Sequence, residues 1–509
     1  MALSVKVGYI DPSAAGGSEA FTGIGFQPKC LVMFSSALST AGGFATEAAN
    51  MYTIVGLGAS SSERAVAGGS AENGVAATNS DAYRWVFTDR LIHQTQPNST
   101  GTVLWNVDLT SLDADGFTLS KTTAIANRTM YFALGGTSLT NVKVGGGTVT
   151  SGTGTLAFTG VGFVPDLLIF LVKPTSGDGD HENAQMSMGW ANATDQVGWS
   201  NFYDDGSTTT DADGVLIPGT AIITTAASGI SNTAQLQSMD ADGFTLNRLV
   251  SSGTSYAMAY MALKFSGIST AIGVETQGVA TGTKATAGIG NAPQALMLGG
   301  ACRVASVSST SHMRGFLGAT DGTDFYCNAY SAESGLSTSR TTRAHKEKIA
   351  ASVLNTAGTP STTAEADLTS LDDDGFTLDW TTADATAREF SYLAFGTAVE
   401  HVEVTSAGPG DVEYFGFPAQ LVIPTEFIVT SGGVGEVTYE GLQGTEQTGT
   451  DFEVTSAGVG EVEYTGFAGR LSSIGSTEDT LVFSEQQIVE NAYIAEVMRA
   501  RVRRSVGDD

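Results

Sequence analysis

Three short motifs recur in the same order three times along the chain, and this repetition restricts the possible folds more than any other feature. The first motif is a Gly-x-Gly turn that leads through a proline into an apolar run. The second reads Asp-x-Asp-Gly-Phe-Thr-Leu, and the third is a short aromatic and apolar segment. Because order and spacing are both kept, the sequence predicts one domain in three tandem copies. The motifs occupy residues 21–28, 158–165 and 287–293, then 112–119, 239–246 and 371–378, then 131–135, 260–263 and 392–396.

Each copy carries the signals of antiparallel β-structure. Runs of β-branched and aromatic residues alternate with clusters of Gly, Ser and Asp, which is typical of strands separated by turns. In the second motif glycine permits a tight turn, and Phe and Leu then lie on one face of the next strand. The 63 glycines and the low charged fraction of 15% fit a protein with many turns. We predict an all-β fold of three tandem antiparallel β-sandwich domains, each with about seven to nine strands.

Residues 399–483 repeat with a shorter period. Three similar segments start at residues 403, 428 and 453, so they are 25 residues apart. Each contains a short strand, a glycine turn and a second alternating strand, which predicts a β-hairpin. A single hairpin cannot bury a face alone, so the array must stack with its neighbours or with other chains. Residues 400–483 hold 14 acidic residues and one basic residue, Arg470.

The last segment is the one part of the chain with a helical pattern. Ser484 begins a capping-box sequence, and apolar residues follow at helical spacing from Ile488 to Val502. Arginines in the final turns would complement the helix dipole. The sequence therefore predicts five parts: sandwich repeats at residues 1–137, 138–267 and 268–398, acidic hairpin repeats at 399–483, and a C-terminal α-helix at 484–509.

Charge and hydropathy exclude several classes of protein. The net charge of −29 repels phosphate backbones, so no nucleic-acid partner is predicted. The longest strongly apolar run, residues 167–172, is far shorter than the ~20 residues that span a bilayer, so no membrane insertion is predicted. The first residues do not resemble an export signal. Cys30, Cys302 and Cys327 are too scattered for a disulfide framework or a metal knuckle.

Catalytic signatures are not found. The chain lacks the phosphate-binding, nucleophile-elbow and zinc-protease motifs, and its glycine-rich turns precede strands where a dinucleotide cradle must open a helix. A carboxylate pair for glycoside hydrolysis stays open, because such residues meet only in space. We predict no enzyme activity, no catalytic or metal-binding residues and no cofactor, and the sequence identifies no ligand-binding residue. No two of the histidines stand at metal-ligand spacing: His93, His181, His312, His345 and His401.

Two acidic patterns have both a structural and a functional interpretation. Residues 178–183, Asp-Gly-Asp-His-Glu-Asn, could form a cation site, but they lack the calcium-loop pattern, and we favour a solvated turn. The repeated Asp-x-Asp-Gly resembles half a calcium loop, yet its place before Phe-Thr-Leu in all three copies favours a turn. Five tryptophans could stack on sugars, although core positions explain most of them better. They are Trp85, Trp105, Trp190, Trp199 and Trp380.

The three motifs resemble repeats in virion proteins of tailed bacteriophages, found in tail-associated, fibre and decoration proteins. The outline is also similar to H-type lectin domains, which are small trimeric β-sandwiches that bind carbohydrate. The resemblance covers residues 1 to about 397, and no binding residue transfers with it. The third copy departs from the pattern at Asn291, where phenylalanine is expected.

The resemblance implies a non-enzymatic structural protein of a virion, a fibre or spike on the tail or capsid with lectin-like sandwiches for host attachment. The partners it implies are other copies of the chain, with a trimer as one option, other virion proteins, and a glycan or protein of the host surface. Its location would be the virion, assembled in the host cytoplasm. A bacterial adhesin or free carbohydrate-binding protein is the alternative, and the lack of an export signal favours the virion.

Overall fold

The computed structural model describes residues 3–398 except 40–42, 45, 46, 124, 228, 305–309 and 357, and beyond residue 400 it describes eight short strands. The chain divides into two compact units, Met1–Thr397 and Ala398–Asp509. The described residues form strands and turns with one 3-10 turn, Ala77–Asn79, and no α-helix among them. The predicted all-β fold with antiparallel sheets is confirmed. No helix in this described part is long and apolar enough to cross a membrane.

The first unit contains three sets of eleven strands in the same order, and we call these sets repeats 1, 2 and 3. Repeat 1 consists of β1 (Leu3–Ile10), β2 (Gly17–Thr22), β3 (Pro28–Ser35), β4 (Glu47–Ala49), β5 (Met51–Gly58), β6 (Arg64–Ala71), β7 (Ala82–Phe87), β8 (Ile92–Thr95), β9 (Val103–Asp113), β10 (Gly116–Thr123) and β11 (Thr129–Gly136). Repeat 2 consists of β12 (Leu139–Val149), β13 (Gly154–Thr159), β14 (Leu167–Lys173), β15 (Gly179–Glu182), β16 (Ala184–Asn192), β17 (Gln196–Tyr203), β18 (Ala212–Pro218), β19 (Ile222–Ala226), β20 (Gly229–Asp240), β21 (Gly243–Val250) and β22 (Tyr256–Phe265). Repeat 3 consists of β23 (Ser269–Thr276), β24 (Gly282–Ala287), β25 (Asn291–Arg303), β26 (Thr310–Ser311), β27 (Met313–Thr320), β28 (Phe325–Ala332), β29 (Thr341–Lys346), β30 (Ala350–Thr356), β31 (Thr359–Asp372), β32 (Gly375–Thr382) and β33 (Glu389–Ala398).

Each repeat builds one four-stranded sheet and six strands of a seven-stranded sheet. In repeat 1 the smaller sheet has the order β2-β10-β9-β8, and the larger has the order β1-β11-β3-β5-β6-β7. Repeats 2 and 3 show the same two orders with their own strands. The seventh strand of each larger sheet comes from another repeat. Strand β15 of repeat 2 pairs with β7, β26 of repeat 3 pairs with β18, and β4 of repeat 1 pairs with β29.

This strand exchange closes a ring. Repeat 2 donates to repeat 1, repeat 3 donates to repeat 2, and repeat 1 donates to repeat 3. The last of these contacts joins residues that are almost 300 positions apart in the chain, as in the register pair Thr342 and Ala49. The three repeats are therefore one cyclic assembly within a single chain, with the arrangement of a closed trimer.

The central strands of the larger sheets are buried on both faces. On one face, Leu31 and Met33 of β3 pack in a cluster with residues of the smaller sheet of repeat 1. On the other face, Val32 and Phe34 belong to a common core that also contains Ile169 of repeat 2 and residues of repeat 3. All eight residues of β5 and all seven of β14 are buried as a result. The hydrophobic interior of the ring thus lies between the three larger sheets.

The first two sequence motifs meet in space and hold each other. The second Asp of the Asp-x-Asp-Gly turn, Asp115, accepts hydrogen bonds from the backbone N–H groups of Gly23 (3.2 Å) and Gly25 (2.6 Å). Asp242 does the same for Gly160 and Gly162 at 3.0 and 2.6 Å. In repeat 3 Asp374 accepts from the N–H of residue 290 at 2.7 Å, so this copy keeps the clamp.

The second unit stacks its 25-residue repeats in parallel. Its strands form one sheet in the order β34-β36-β38-β41-β40 and another in the order β35-β37-β39. The ranges are β34 (His401–Ser406), β35 (Val412–Phe415), β36 (Glu426–Ser431), β37 (Val437–Glu440), β38 (Asp451–Ser456), β39 (Val462–Thr465), β40 (Ser472–Ser473) and β41 (Asp479–Val482). Strand β34 pairs with β36 and β36 with β38 in parallel, in each case with a shift of 25 residues.

The predicted hairpins at residues 399–483 are wrong. The two strands of one 25-residue segment lie in different sheets, and each pairs with its equivalents in the next segments. The physical reason is the strict period, because it lets identical strands stack in register and satisfy their backbone groups between segments. The stacking itself was predicted. The predicted helix at residues 484–509 lies outside the described residues.

Candidate functional site: the three-loop cap

Three equivalent loops meet at one end of the ring, and we call them together the cap. Loop 1 (residues 72–81) joins β6 to β7, loop 2 (204–211) joins β17 to β18, and loop 3 (333–340) joins β28 to β29. Each loop begins with an acidic residue, any residue and glycine. The three glycines, Gly74, Gly206 and Gly335, have φ angles of +80°, +64° and +79°, a region that favours glycine. Sequence reasoning missed this pattern, although its spacing of 132 and 129 residues matches that of the other motifs.

The loops are joined by a closed circle of backbone hydrogen bonds. The N–H of Gly74 donates to the carbonyl of Ser339 in loop 3 at 2.8 Å. The N–H of Gly335 donates to the carbonyl of Thr210 in loop 2 at 2.6 Å. The N–H of Gly206 donates to the carbonyl of Ser80 in loop 1 at 3.1 Å. Each loop therefore donates to one neighbour and accepts from the other, so the cap locks the same ring that strand exchange closes.

Loop 1 departs from the symmetry of the other two. It is two residues longer and contains the 3-10 turn Ala77–Asn79. Thr210 of loop 2 donates its N–H to the carbonyl of Leu336 at 2.8 Å, and Ser339 of loop 3 donates its N–H to that of Val75 at 2.8 Å. The equivalent residue of loop 1, Ser80, instead donates its N–H within its own loop, to Ala77 at 3.3 Å. The extra turn thus replaces one contact between loops and makes the three positions distinguishable.

The base of each loop brings two charged residues together. Glu72 donates its N–H to the carbonyl of Asp81 at 3.0 Å, and Asp204 donates its N–H to that of Asp211 at 2.9 Å. In loop 3 the residue at the equivalent position is Arg340, whose guanidinium lies 3.4 Å from the carboxylate of Glu333. Two loops are therefore closed by an acidic pair and the third by an ion pair.

Burial raises the pKa of four carboxyl groups in loops 1 and 2 of the cap. Burial raises the pKa of Glu72 and of Asp81, and it raises the pKa of Asp211, where the charge of Asp204 adds to the effect. Asp205 is affected most in loop 2, because burial and then the charge of Asp81 raise its pKa to about 6.

A second set of contacts lies where β15 of repeat 2 joins repeat 1. Asp180 of β15 lies 3.0 Å from Nε2 of the buried His93 and accepts a hydrogen bond from Thr95 Oγ1 at 2.6 Å. Asp178 accepts from the N–H of Thr88 at 3.0 Å. Neither a solvated turn nor a cation site describes residues 178–183, so our preferred solvated turn was wrong. The acidic side chains are used to pin a strand onto a neighbouring sheet.

Ion pairs join the first strands of two repeats to a neighbouring repeat. Lys143 of β12 lies 2.9 Å from the carboxylate of Glu63, in the turn after β5. At the equivalent place in the ring, Lys6 of β1 pairs with Asp324 in the turn after β27. In the third case Asn192 donates from its side chain to the carbonyl of Thr270 in β23 at 2.9 Å. In all three cases the first strand of a repeat contacts the same neighbouring repeat that receives its exchanged strand.

The other residues singled out in the sequence are part of the framework. All five tryptophans are buried, with at most 3% of their surface exposed, which confirms the core interpretation. The three cysteines are free and buried, and burial raises the pKa of Cys30 and Cys302 to about 12. The Asp-x-Asp-Gly segments form the predicted turns. Asn291 is buried and donates to Ser269 Oγ at 2.7 Å, so a polar contact replaces the expected phenylalanine.

The cap is a hydrogen-bonded and largely acidic group of loops. Its backbone groups bond to one another, and its side chains are mainly carboxylates, serines and threonines. Within the described ranges, no three His, Cys, Asp or Glu side chains are grouped so that they could hold a metal ion. A rigid, acidic surface made of three related loops is suited to contact with another macromolecule.

Comparisons with known proteins place the chain in no family. No protein-family model matches it, and no curated protein matches it. One similar solved chain comes from the atomic structure of Sulfolobus turreted icosahedral virus. It is 8% identical, the alignment covers 77% of this chain and 84% of that chain, and the TM-score is 0.09. A likeness at this level carries no argument about fold or function.

Proposed function

We propose that this chain is a non-enzymatic structural protein of a tailed-phage virion, a fibre or spike on the tail or capsid that contacts the host surface. The observation that supports this best is the closed ring of three repeats with the cap at one end. A ring of this kind presents three related loops in fixed positions, and multivalent contact with a repetitive surface gains avidity from such an arrangement. The resemblance of the repeated motifs to virion proteins points the same way.

The proposal also covers how the domains are arranged within the all-β fold. We take the three repeats to be tandem sandwich domains that fused into one unit, with the smaller sheets on the outside and the common core within. The second unit adds a parallel stack of 25-residue segments. Stacks of this kind can join other copies of the chain or other virion proteins, because β34 and β35 are edge strands of their sheets among the described residues, and edge strands can accept further pairing.

The host contact is assigned to the cap. The tryptophans are buried, so an aromatic sugar platform does not form part of the proposal. Loops at the end of a rigid β-scaffold are the usual place for recognition, and the cap is the place where loops of all three repeats meet. A glycan or a protein of the host surface would then bind through hydrogen bonds from Ser, Thr and carboxylate groups.

Particles test the location directly. Phage particles purified from a lysate of the strain that carries this gene are analysed by mass spectrometry and by immunogold labelling with antibodies against residues 1–397. We expect the chain to copurify with the particles and the gold to decorate the tail or the capsid. Recovery of the chain only in the particle-free supernatant would contradict the proposal and favour a free adhesin.

Truncation tests the role of the second unit. Light scattering compares the full chain with a chain that ends at Thr397, the boundary of the first unit. We expect the full chain to form oligomers and the shorter chain to be folded and monomeric. Oligomers of equal size from both chains would show that the 25-residue stack does not drive assembly.

A further inference from the structure

The bases of the cap loops differ in charge: those of loops 1 and 2 are acidic, and that of loop 3 pairs opposite charges. Loops 1 and 2 close with the acidic pairs Glu72 and Asp81, and Asp204 and Asp211. In loop 1 the contact is reciprocal, because the N–H of Asp81 also donates to the Glu72 carboxylate at 3.4 Å. Loop 3 closes with Glu333 and Arg340, whose charges attract. The same backbone geometry is thus built with like charges twice and with opposite charges once.

The surroundings of loop 1 add negative charge. Asp205 and Glu182 lie within electrostatic reach of Asp81 or of its neighbour Tyr83. Tyr52 faces Glu72 from β5, and the guanidinium of Arg343 lies over the Tyr52 ring at 4.5 Å.

Around loop 2 positive and negative charges are more evenly balanced. Arg84 of β7 is the cation that faces Asp204, while Tyr203 and Asp205 also lie near this carboxylate. Asp213 of β18 faces Asp211, and burial together with that charge raises the pKa of Asp213 to about 6. Two histidines flank the cap: His312 lies near Glu333, and His181 of β15 lies near Arg84.

We propose that the cap is a pH-sensitive clasp, in which loops 1 and 2 hold their neighbours tightly when a carboxyl of each acidic pair is protonated and loosen as both become charged. Loop 3 has an ion pair in place of an acidic pair, so the proposal does not extend to its base. The three inter-loop bonds through Gly74, Gly206 and Gly335 are the contacts that weaken. The exchanged strands and the common core lie outside the clasp, so the ring stays closed while its end opens.

The direction of the effect follows from linkage. Burial raises the pKa of Glu72, Asp81 and Asp211 in the folded protein. A carboxyl whose pKa is raised by folding favours the folded form below its ordinary pKa, near 4, and this advantage is lost as the pH rises through the folded value. Asp205, at about 6, marks the upper part of this window. The clasp is therefore tight near pH 4.5 and loose near pH 7.5.

Hydrogen exchange of the full chain tests the clasp. Amide protection is measured by mass spectrometry for residues 72–81, 204–211 and 333–340 at pH 4.5 and 7.5, after correction for the intrinsic exchange rate at each pH. We expect protection of the cap to fall about tenfold at the higher pH, as the carboxyl groups of both acidic pairs become charged. Strands β5 and β16, in the buried larger sheets, should keep the same protection at both pH values.

Two variants separate the clasp from a general effect of pH. Asp81→Asn with Asp211→Asn removes one charge from each acidic pair, so most of the tenfold loss should disappear. Asp89→Asn, an exposed carboxylate outside the cap, should keep the full loss. If the double variant does not fold, Asp205→Asn serves in its place and should reduce the loss. Equal protection of the natural chain at both pH values, or a full loss in the folded double variant, would overturn the proposal.

Discussion

The larger and smaller sheets of one repeat have the same kind of antiparallel pairing but opposite patterns of burial. In repeat 2 every residue of β14 is buried, whereas in β13 intermediate and exposed residues alternate. The larger sheet lies between the smaller sheet of its own repeat and the core shared with the other repeats, so neither face of its central strands meets water. An antiparallel sheet with one wet face gives alternation, and continuous apolar strands indicate a second buried face. The difference shows that the ring is held from inside, through the larger sheets.

The largest effect is expected from a residue of the common core. Trp190 is fully buried and packs edge-on against Trp199, with ring centroids 4.9 Å apart. Trp190→Ala should lower the free energy of unfolding by about 3–5 kcal/mol. Because the core is shared, hydrogen exchange should accelerate in all three repeats. Thr155→Ala, at an exposed position of β13, is the control and should change little; acceleration confined to repeat 2 would break the comparison.

A residue between the two sheets of one repeat should act more locally. Leu246 of β21 is fully buried in the cluster that lies within repeat 2. Leu246→Ala should cost about 2–4 kcal/mol in denaturant unfolding. The increase in exchange should be strongest in β13 and β19–β21. A spread as wide as that of Trp190→Ala would mean that the two cores are not distinct.

The clamp that joins the two sheets should contribute less. Asp242, at the turn of the smaller sheet, holds the Gly160 and Gly162 amides just before the larger sheet begins. Asp242→Ala removes both bonds at an exposed site, so we expect a loss of about 1.5 kcal/mol in unfolding free energy. Asp115→Ala should cause a similar loss, since its geometry is the same. A change below measurement error in both variants would show that the clamp does not couple the sheets.

The smallest effect is expected at the edge of a larger sheet. Glu47 of β4 lies 2.6 Å from Lys346 of β29 and also accepts from Thr362. Burial acts to raise the pKa of Glu47, but the bonds from these partners outweigh it and hold the pKa below its ordinary value of 4.5. This carboxylate therefore stabilises the fold above that value, and the contribution is lost as the pH falls through the folded pKa.

Glu47→Gln should lower stability at pH 7 by about 1 kcal/mol, in the range of partly exposed ion pairs. The difference from the natural chain should be smaller at pH 3 than at pH 7, because falling pH protonates Glu47 and removes the charge that Gln lacks. Thermal unfolding of both chains at pH 7 and pH 3 measures this difference in stability. An equal loss at both pH values would assign the effect to packing and not to the ion pair.

The sequence predicts the parts of the fold that depend on local patterns. The three motifs, the all-β class and the turns before Gly116, Gly243 and Gly375 follow from composition and spacing. At these glycines an added Cβ would lie 1.9 Å from a backbone carbonyl, which explains why no other residue stands there. The Tyr of the third motif also has a hidden partner: Tyr131 lies against Gly8, where an added Cβ would be 2.5 Å from its hydroxyl.

The closed ring could not be predicted in the same way. The exchanged strands are two to four residues long, too short to give a period, and β15 is polar enough to read as a turn. Their partners lie about 100 to 300 residues away. The continuous apolar runs at residues 30–34 and 167–172 carry the signal of a second buried face, although from the sequence alone we predict only strands there. The acidic-x-Gly loops of the cap repeat with the right spacing and could have been found with the other motifs.

Closure of the ring between repeats 1 and 3 is the central claim, and zero-length carbodiimide crosslinking tests it most directly. The reagent joins a lysine to a carboxylate that already touches it, and mass spectrometry of the monomeric fraction then identifies the linked peptides. Lys143 with Glu63 joins neighbouring repeats and serves as the internal control. The ring predicts two further links, Lys346 with Glu47 and Lys6 with Asp324. Recovery of the control link without either of these two would contradict a closed ring and leave three repeats in a row.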